Sequence, residues 1–321
     1  MFKRLALTCC LLFTAAVPAL AQDWPPAQVK IIVPFGAGST PDVVARILSD
    51  QLGKKYPNSV FIVENKPGAS GNLGTDAVAK AAPDGATIGI SIGGPLAINT
   101  LLFANLPYDP SKDIAPISQL ITQPSALAVS PKLKVDSIAD LIILLKVNPG
   151  KYDFASIGTG SLSQLAMEAV AIKAGSKLVH VPYKSSPEAM LAVIRGDVQM
   201  ACMPAASVVP QAKAGKVKIL AVSTAKRSPY LPDVPTLKES GIDVEADAWM
   251  GLIAPGATPK PIIDKINEDA VAIIKSPAAH DKLAAALMEP VGSTPEEFRT
   301  LIDGEIARWA PVIKAANVKI N

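Results

Sequence analysis

From residue 29 onward, short runs of β-branched residues alternate with stretches of helical periodicity. That alternation restricts the chain to stacked βα units on largely parallel sheets. Val29-Lys30-Ile31-Ile32-Val33 reads as a first strand ending at Pro34-Phe35-Gly36-Ala37-Gly38. A helix follows, with Val43, Val44, Ile47, Leu48 and Leu52 on one face. Residues 60–63 read as a second strand, 73–82 as a helix, and 86–92 as a third strand before Gly93-Gly94-Pro95. A second α/β group begins near Ser125, with strands near 125–129, 152–156, 178–181, 198–203 and 217–223. Its helices fall near 137–147, 161–174 and 187–195. Residues 227–247 are rich in turns, and after Trp249-Met250-Gly251-Leu252-Ile253 the chain reads as helical, near 259–275 and 295–315.

Two α/β groups and a long return segment predict two lobes around a ligand cleft, joined by a hinge. The expected division is 22–124 with 248–321 in a discontinuous first lobe, and 125–247 in the second. Ahead of them, Lys3 and Arg4 precede an apolar stretch over 5–17, and Ala19-Leu20-Ala21 places small residues at the positions a signal peptidase reads. Residues 1–21 are therefore expected to be a removed export signal and the protein periplasmic. Loss of Lys3 and Arg4 takes the formal charge of +3 close to zero. A near-neutral chain predicts no nucleic-acid footprint and no polybasic membrane patch. Of the 3 cysteines only Cys202 lies beyond the signal, so no internal disulfide is expected and the core must hold the fold. About 300 residues exceed the usual size of one core, which again predicts two lobes. The 29 prolines are scattered between periodic segments and mark element boundaries.

Ligands of open α/β sheets sit beyond the carboxyl ends of strands, so the strand-to-helix loops are the places to search. The first is Phe35 to Asp42. Ser39 or Thr40 can cap the helix, Pro41 suits its first turn, and Gly36 and Gly38 let backbone N–H groups approach a bound group. Free N–H donors at a helix start favour an anion. Asp42 opposes one, and reads as structural or as a partner for a ligand amine or hydroxyl. Phe35 either lies against the ligand or fills the core beneath the loop.

Ser156-Ile157-Gly158-Thr159-Gly160-Ser161 repeats this chemistry in the second group, and Ser161 with Gln164 has capping-box spacing. One capped glycine-rich turn is an ordinary helix start. Two of them, one per lobe at equivalent strand ends, point to a carboxylate held between lobes.

Other chemistries lack their residues. Gly158-Thr159-Gly160 misses the third glycine of a dinucleotide loop, no Walker lysine follows a glycine-rich loop, and G-x-S-x-G does not occur. His180 and His280 have no neighbours at metal-ligand spacing and read as structural, and Cys202 reads as a small buried residue. No catalytic residue, metal or cofactor is expected.

Several motifs together resemble the receptors of the tripartite tricarboxylate transporter family, the Bug-type solute-binding proteins. They are Pro34-Phe35 through Arg46, Glu64-Asn65-Lys66-Pro67-Gly68-Ala69 with Gly71 and Gly74, and Ala82-Pro83-Asp84-Gly85. Tyr108-Asp109-Pro110, His180-Val181-Pro182-Tyr183-Lys184 and Leu231-Pro232-Asp233-Val234-Pro235-Thr236 continue the match. The resemblance implies a type II periplasmic-binding-protein fold that closes on a carboxylate gripped by the two loops. It implies further contacts at Ser91 to Pro95 and at Met203-Pro204-Ala205, facing the variable end of the ligand. Departures from the family pattern are Ser39 after Gly38, Pro41, Ala86, Gln164 and Ser185. The scarcity of charge over 203–207 predicts a ligand whose far end is apolar or uncharged.

The expected protein is a monomer that delivers its carboxylate to a membrane permease. A sensor presenting its closed form to a signalling partner, or a secreted α/β hydrolase or isomerase using Cys202, His180 or a carboxylate pair, are the alternatives.

Overall fold

The computed structural model describes residues 24–183 and 185–320, so the expected export signal lies outside the described residues. Two mixed sheets organise the fold, and the chain crosses between them twice.

The first pass builds β1 (Gln28–Val33), α1 (Thr40–Lys55), β2 (Val60–Asn65), α2 (Asn72–Ala79), β3 (Thr87–Ile92), α3 (Asn99–Leu102) and β4 (Ile114–Gln123). After Pro124 the second sheet begins. It contains β5 (Ser125–Val129), α4 (Ile138–Val147), β6 (Asp153–Ser156), α5 (Leu162–Ala174) and β7 (Val179–Pro182). Next come α6 (Ser186–Arg195), β8 (Met200–Pro204), α7 (Ala205–Lys213) and β9 (Lys218–Val222). The return segment delivers β10 (Ala248–Pro255), α8 (Lys260–Ile274), α9 (Pro277–Ala285), β11 (Glu289–Pro290) and α10 (Pro295–Ala316). Strand orders are β11-β4-β10-β3-β1-β2 and β7-β6-β8-β5-β9.

The sheets are less parallel than the sequence predicts. In the first, β10 runs against both β3 and β4. In the second, β5 runs against both β8 and β9. Apart from the two-residue β11, which runs against β4, each exception is the strand made as the chain arrives from the other sheet, so the crossing itself dictates its direction. Strands β4 and β10 and helix α7 also escape the sequence reading. Strand β10 is almost wholly buried, so it lacks the alternation that identifies a one-sided strand. Pro116 interrupts β4, and Pro210 lies inside α7.

Packing follows from the apolar periodicities. Val29, Ile31 and Val33 face Val44, Leu48 and Leu52 of α1, while Ile32 on the opposite side of β1 joins Val78, Trp249 and Phe298. The second sheet buries Leu127, Phe154, Met200 and Cys202 against Leu141 and Leu165. Helix α10 belongs to both cores. Phe298 and Ile302 near its start pack with the first sheet, whereas Trp309 and Ile313 pack with the second.

Strand direction decides where a ligand would meet the protein. Strand β4 ends at the first crossing, and β1, β2 and β3 run the same way, so their carboxyl ends face it too. Strand β5 starts at that crossing, and β6 to β9 run against it. Both sets of carboxyl ends therefore point at the junction of the sheets.

Candidate functional site

At the end of β1, the Phe35 to Asp42 loop is held by one carboxylate. Asp42 is 2% exposed. Its Oδ2 accepts from Gly38 N at 2.9 Å and from Arg46 Nε at 2.8 Å, and its Oδ1 accepts from Arg46 Nη2 at 3.0 Å and Asn65 Nδ2 at 2.9 Å. The Asn65 amide also donates to Phe35 O at 2.9 Å, tying the loop to the end of β2. Burial alone would raise the Asp42 pKa. The donors from Arg46, Gly38 and Asn65 outweigh it and hold the carboxyl at about 2. Both Asp42 oxygens are thus spent on the loop, and Arg46 offsets the charge that would oppose an anion.

Ser39 occupies the N-cap of α1, but its hydroxyl caps nothing: it is buried and has no hydrogen-bond partner. Among the described residues, the N–H groups of Gly36 and Ala37 also have no partner. Thr40 is half-buried in the first turn, and side chains built on Gly36 or Gly38 would meet nothing within 4 Å. The loop presents donors to open space.

Phe35 is half-buried. Its ring lies over Gly71 beside Pro95: a Cβ on Gly71 would stand 2.9 Å from Phe35 Cζ and 2.8 Å from Pro95 Cγ. Gly71 has φ +90°, and the preceding Ala69 and Ser70 are also left-handed at +47° and +56°. Such backbone is costly for non-glycine residues and clusters at functional sites; nothing in the sequence marks it. Replacing Gly71 by Ala is expected to lower the unfolding free energy by about 2 kcal/mol and displace the Phe35 ring. Denaturant titration and the near-ultraviolet spectrum check this, and an unchanged midpoint would contradict the packing described.

After β3, Ser91 is fully buried and its hydroxyl pairs with Thr75 Oγ1 at 3.0 Å. Gly94–Ile98 then forms a π-helical turn, and Pro95 is buried within it.

The end of β6 carries the second loop. Ser161 caps α5 by accepting from Gln164 N at 3.4 Å. The Gln164 side chain reaches past the cap to accept from Gly160 N at 2.8 Å, one residue beyond the Ser161 N–H that the reciprocal box would use. Ile157 N donates to Ser163 Oγ and Gly158 N to Ser156 Oγ, both at 3.0 Å. Thr159 is exposed, and its N–H and hydroxyl have no partner among the described residues. Gly160 is buried where a Cβ would meet Leu102 Cδ1 at 2.4 Å, so this loop abuts α3 from the first pass of the chain.

The β8 end is more enclosed. Met203 and Ala205 are fully buried and Pro204 half-buried. Ala205 N donates to Pro124 O at 2.8 Å, pinning this end to the first crossing. Met203 lies in the core with Val193 and Val208, so its side chain is part of the packing there.

Cys202 is buried, and desolvation pushes its thiol up to about 12. His180 stacks on Phe154 at 5.0 Å, and burial lowers its pKa. At the second crossing, Ser223 Oγ contacts Ser125 O, Ala246 O and Asp247 Oδ1 at 3.1–3.3 Å. No helix of the described residues is long and apolar enough to cross a membrane.

Residues 44–318 match the family model "Tripartite tricarboxylate transporter family receptor". The chain belongs to that family. It is 34% identical to Protein BugT of Bordetella pertussis over 95% of this chain and 94% of that protein. An R. palustris protein solved with adipate is 34% identical over 92% of this chain and 99% of that one, with a TM-score of 0.82. MatC of Rhodopseudomonas palustris with bound malate is 29% identical over 89% of this chain and 98% of that one, with a TM-score of 0.76. The sequence resemblance to Bug-type receptors and the two-lobe solute-binding fold both hold, and the family and structural neighbours are solute-binding receptors.

Proposed function

We propose that this protein is an exported receptor that closes two lobes over a small organic carboxylate and passes it to a membrane permease without chemical change. The lobes are 22–124 with 248–321, and 125–247, hinged at Pro124 and at 223–247. The observation that carries the reading is the pair of loops at the junction. Gly36 and Ala37 on one side and Thr159 on the other offer donors that the protein leaves unpaired, and the buried Ser39 hydroxyl beside the first pair has no partner either. Bound adipate and malate in two relatives support a carboxylate. Against a hydrolase stand the buried, protonated Cys202 and the Ser156 hydroxyl, which is enclosed by its own loop.

A thermal-shift screen of residues 22–321 tests the proposal, pairing adipate with hexanoate and malate with butyrate. A ligand at 100 times its Kd stabilises by about 2.7 kcal/mol. The expected shift appears with one class of carboxylate and shrinks in Ser39→Ala and in Thr159→Ala. No shift with any carboxylate, alongside one with sugars or cations, would reduce the two loops to ordinary helix starts. A response to hexanoate matching that to adipate would favour an uncharged far end.

A further inference from the structure

The hydrogen bonds of the second loop form a circuit anchored on His180. Ser156 Oγ lies 2.5 Å from His180 Nε2, 3.0 Å from Gly158 N and 3.1 Å from Gly158 O. A hydroxyl has one proton to give and two lone pairs to offer. The Gly158 N–H occupies one lone pair. Gly158 O already accepts a shorter bond, 2.7 Å, from Ser161 Oγ. Ser161 Oγ in turn accepts from Gln164 N and from Ser163 Oγ at 2.8 Å, and Ser163 Oγ accepts from Ile157 N. Gly158 O has two lone pairs, so the Ser156 proton goes either to His180 Nε2 or to Gly158 O, in the second case with Nε2–H donating to Ser156 Oγ. In both arrangements the Ser156 hydroxyl accepts from Gly158 N and is held by the imidazole Nε2.

We propose that His180 is a positioning residue for ligand capture. It acts through the Ser156 hydroxyl, which fixes the Gly158 peptide and so aims the unpaired Thr159 N–H at the ligand. This rests on the receptor reading above. Without the ring nitrogen the Ser156 hydroxyl loses its 2.5 Å partner and is free to rotate away from Gly158 N, releasing the peptide that leads into Thr159. Geometry keeps the ring in place: it stacks on Phe154 with 23° between planes, on β7 at the edge of the sheet. Ionisable groups on the elements around it are Asp153 on β6, Glu168 on α5, Glu188 on α6, and Lys177 and Tyr183 flanking β7. Burial favours the neutral ring.

Two substitutions separate positioning from packing. His180→Phe keeps a flat ring against Phe154 and removes the hydrogen-bonding nitrogen, while His180→Gln offers an amide group near the Nε2 position. With the tightest carboxylate from the screen, Kd is expected to rise about tenfold in His180→Phe and to recover in His180→Gln. In ligand-free protein, the Gly158 and Thr159 amide resonances should move in His180→Phe and return in His180→Gln. Amide shifts and Kd unchanged in His180→Phe would overturn the proposal. If no carboxylate binds at all, the receptor reading fails, and the ligand-free spectra still decide whether His180 orients the loop.

Discussion

Trp309→Ala is expected to lower the unfolding free energy by about 4 kcal/mol, the range for deleting a fully buried large aromatic side chain. Trp309 is 0% exposed and packs among Leu141, Phe154 and Leu165 of the second core, at the far end of a helix whose start belongs to the first. Its Nε1 also donates to Glu305 Oε2 at 2.9 Å. Glu305 is 2% exposed, and burial raises its pKa, so losing this donor leaves a buried carboxyl served by Arg308 alone among the hydrogen bonds described. Trp309→Phe separates the two contributions by restoring most of the ring without the N–H. It should recover more than half of the loss. Urea titration of both variants provides the check, and a loss under about 1 kcal/mol for the alanine variant would mean that α10 is not a shared wall of the two cores.

Asp247→Asn should have the opposite sign, stabilising the protein by up to about 4 kcal/mol at pH 8 and by little at pH 4. Desolvation lifts the Asp247 carboxyl from 3.8 to about 7, with Glu245, Glu289 and Glu305 adding to it and Ser223 opposing. The folded state thus holds a proton that the unfolded chain releases near pH 4. Between those values the unfolded state binds fewer protons, so stability from this group falls as pH rises and levels off above about 7. Asparagine keeps the partner for Ser223 and removes the ionisation. Urea midpoints across pH 4 to 8.5 are expected to diverge progressively between the two proteins. Parallel curves would mean that Asp247 ionises freely at the second crossing.

Much of this protein was legible in residue order. The βα alternation, the first strand with its amphipathic helix, the start of the second group at Ser125 and both glycine-rich loops follow from local periodicity and capping chemistry. Those signals are short-range, and the residues that produce them also form the elements. What local signals could not supply was anything defined by strands distant in sequence. The central strand β10 carries no alternation because both its faces are buried, and its direction comes from arriving out of the other sheet. The role of Asp42 was open in sequence because an acid in the first turn of a helix is compatible with several partners. Only the approach of Asn65, 23 residues away, together with Arg46 and Gly38, commits both its oxygens to the loop. His180 had no partner at any recognisable spacing, since strand pairing between β6 and β7 is what sets it beside Ser156. Sequence determined most of the segments that become strands and helices, and both donor-rich loops. Tertiary structure decided which of those donors remain free, because that depends on every partner the fold brings within reach.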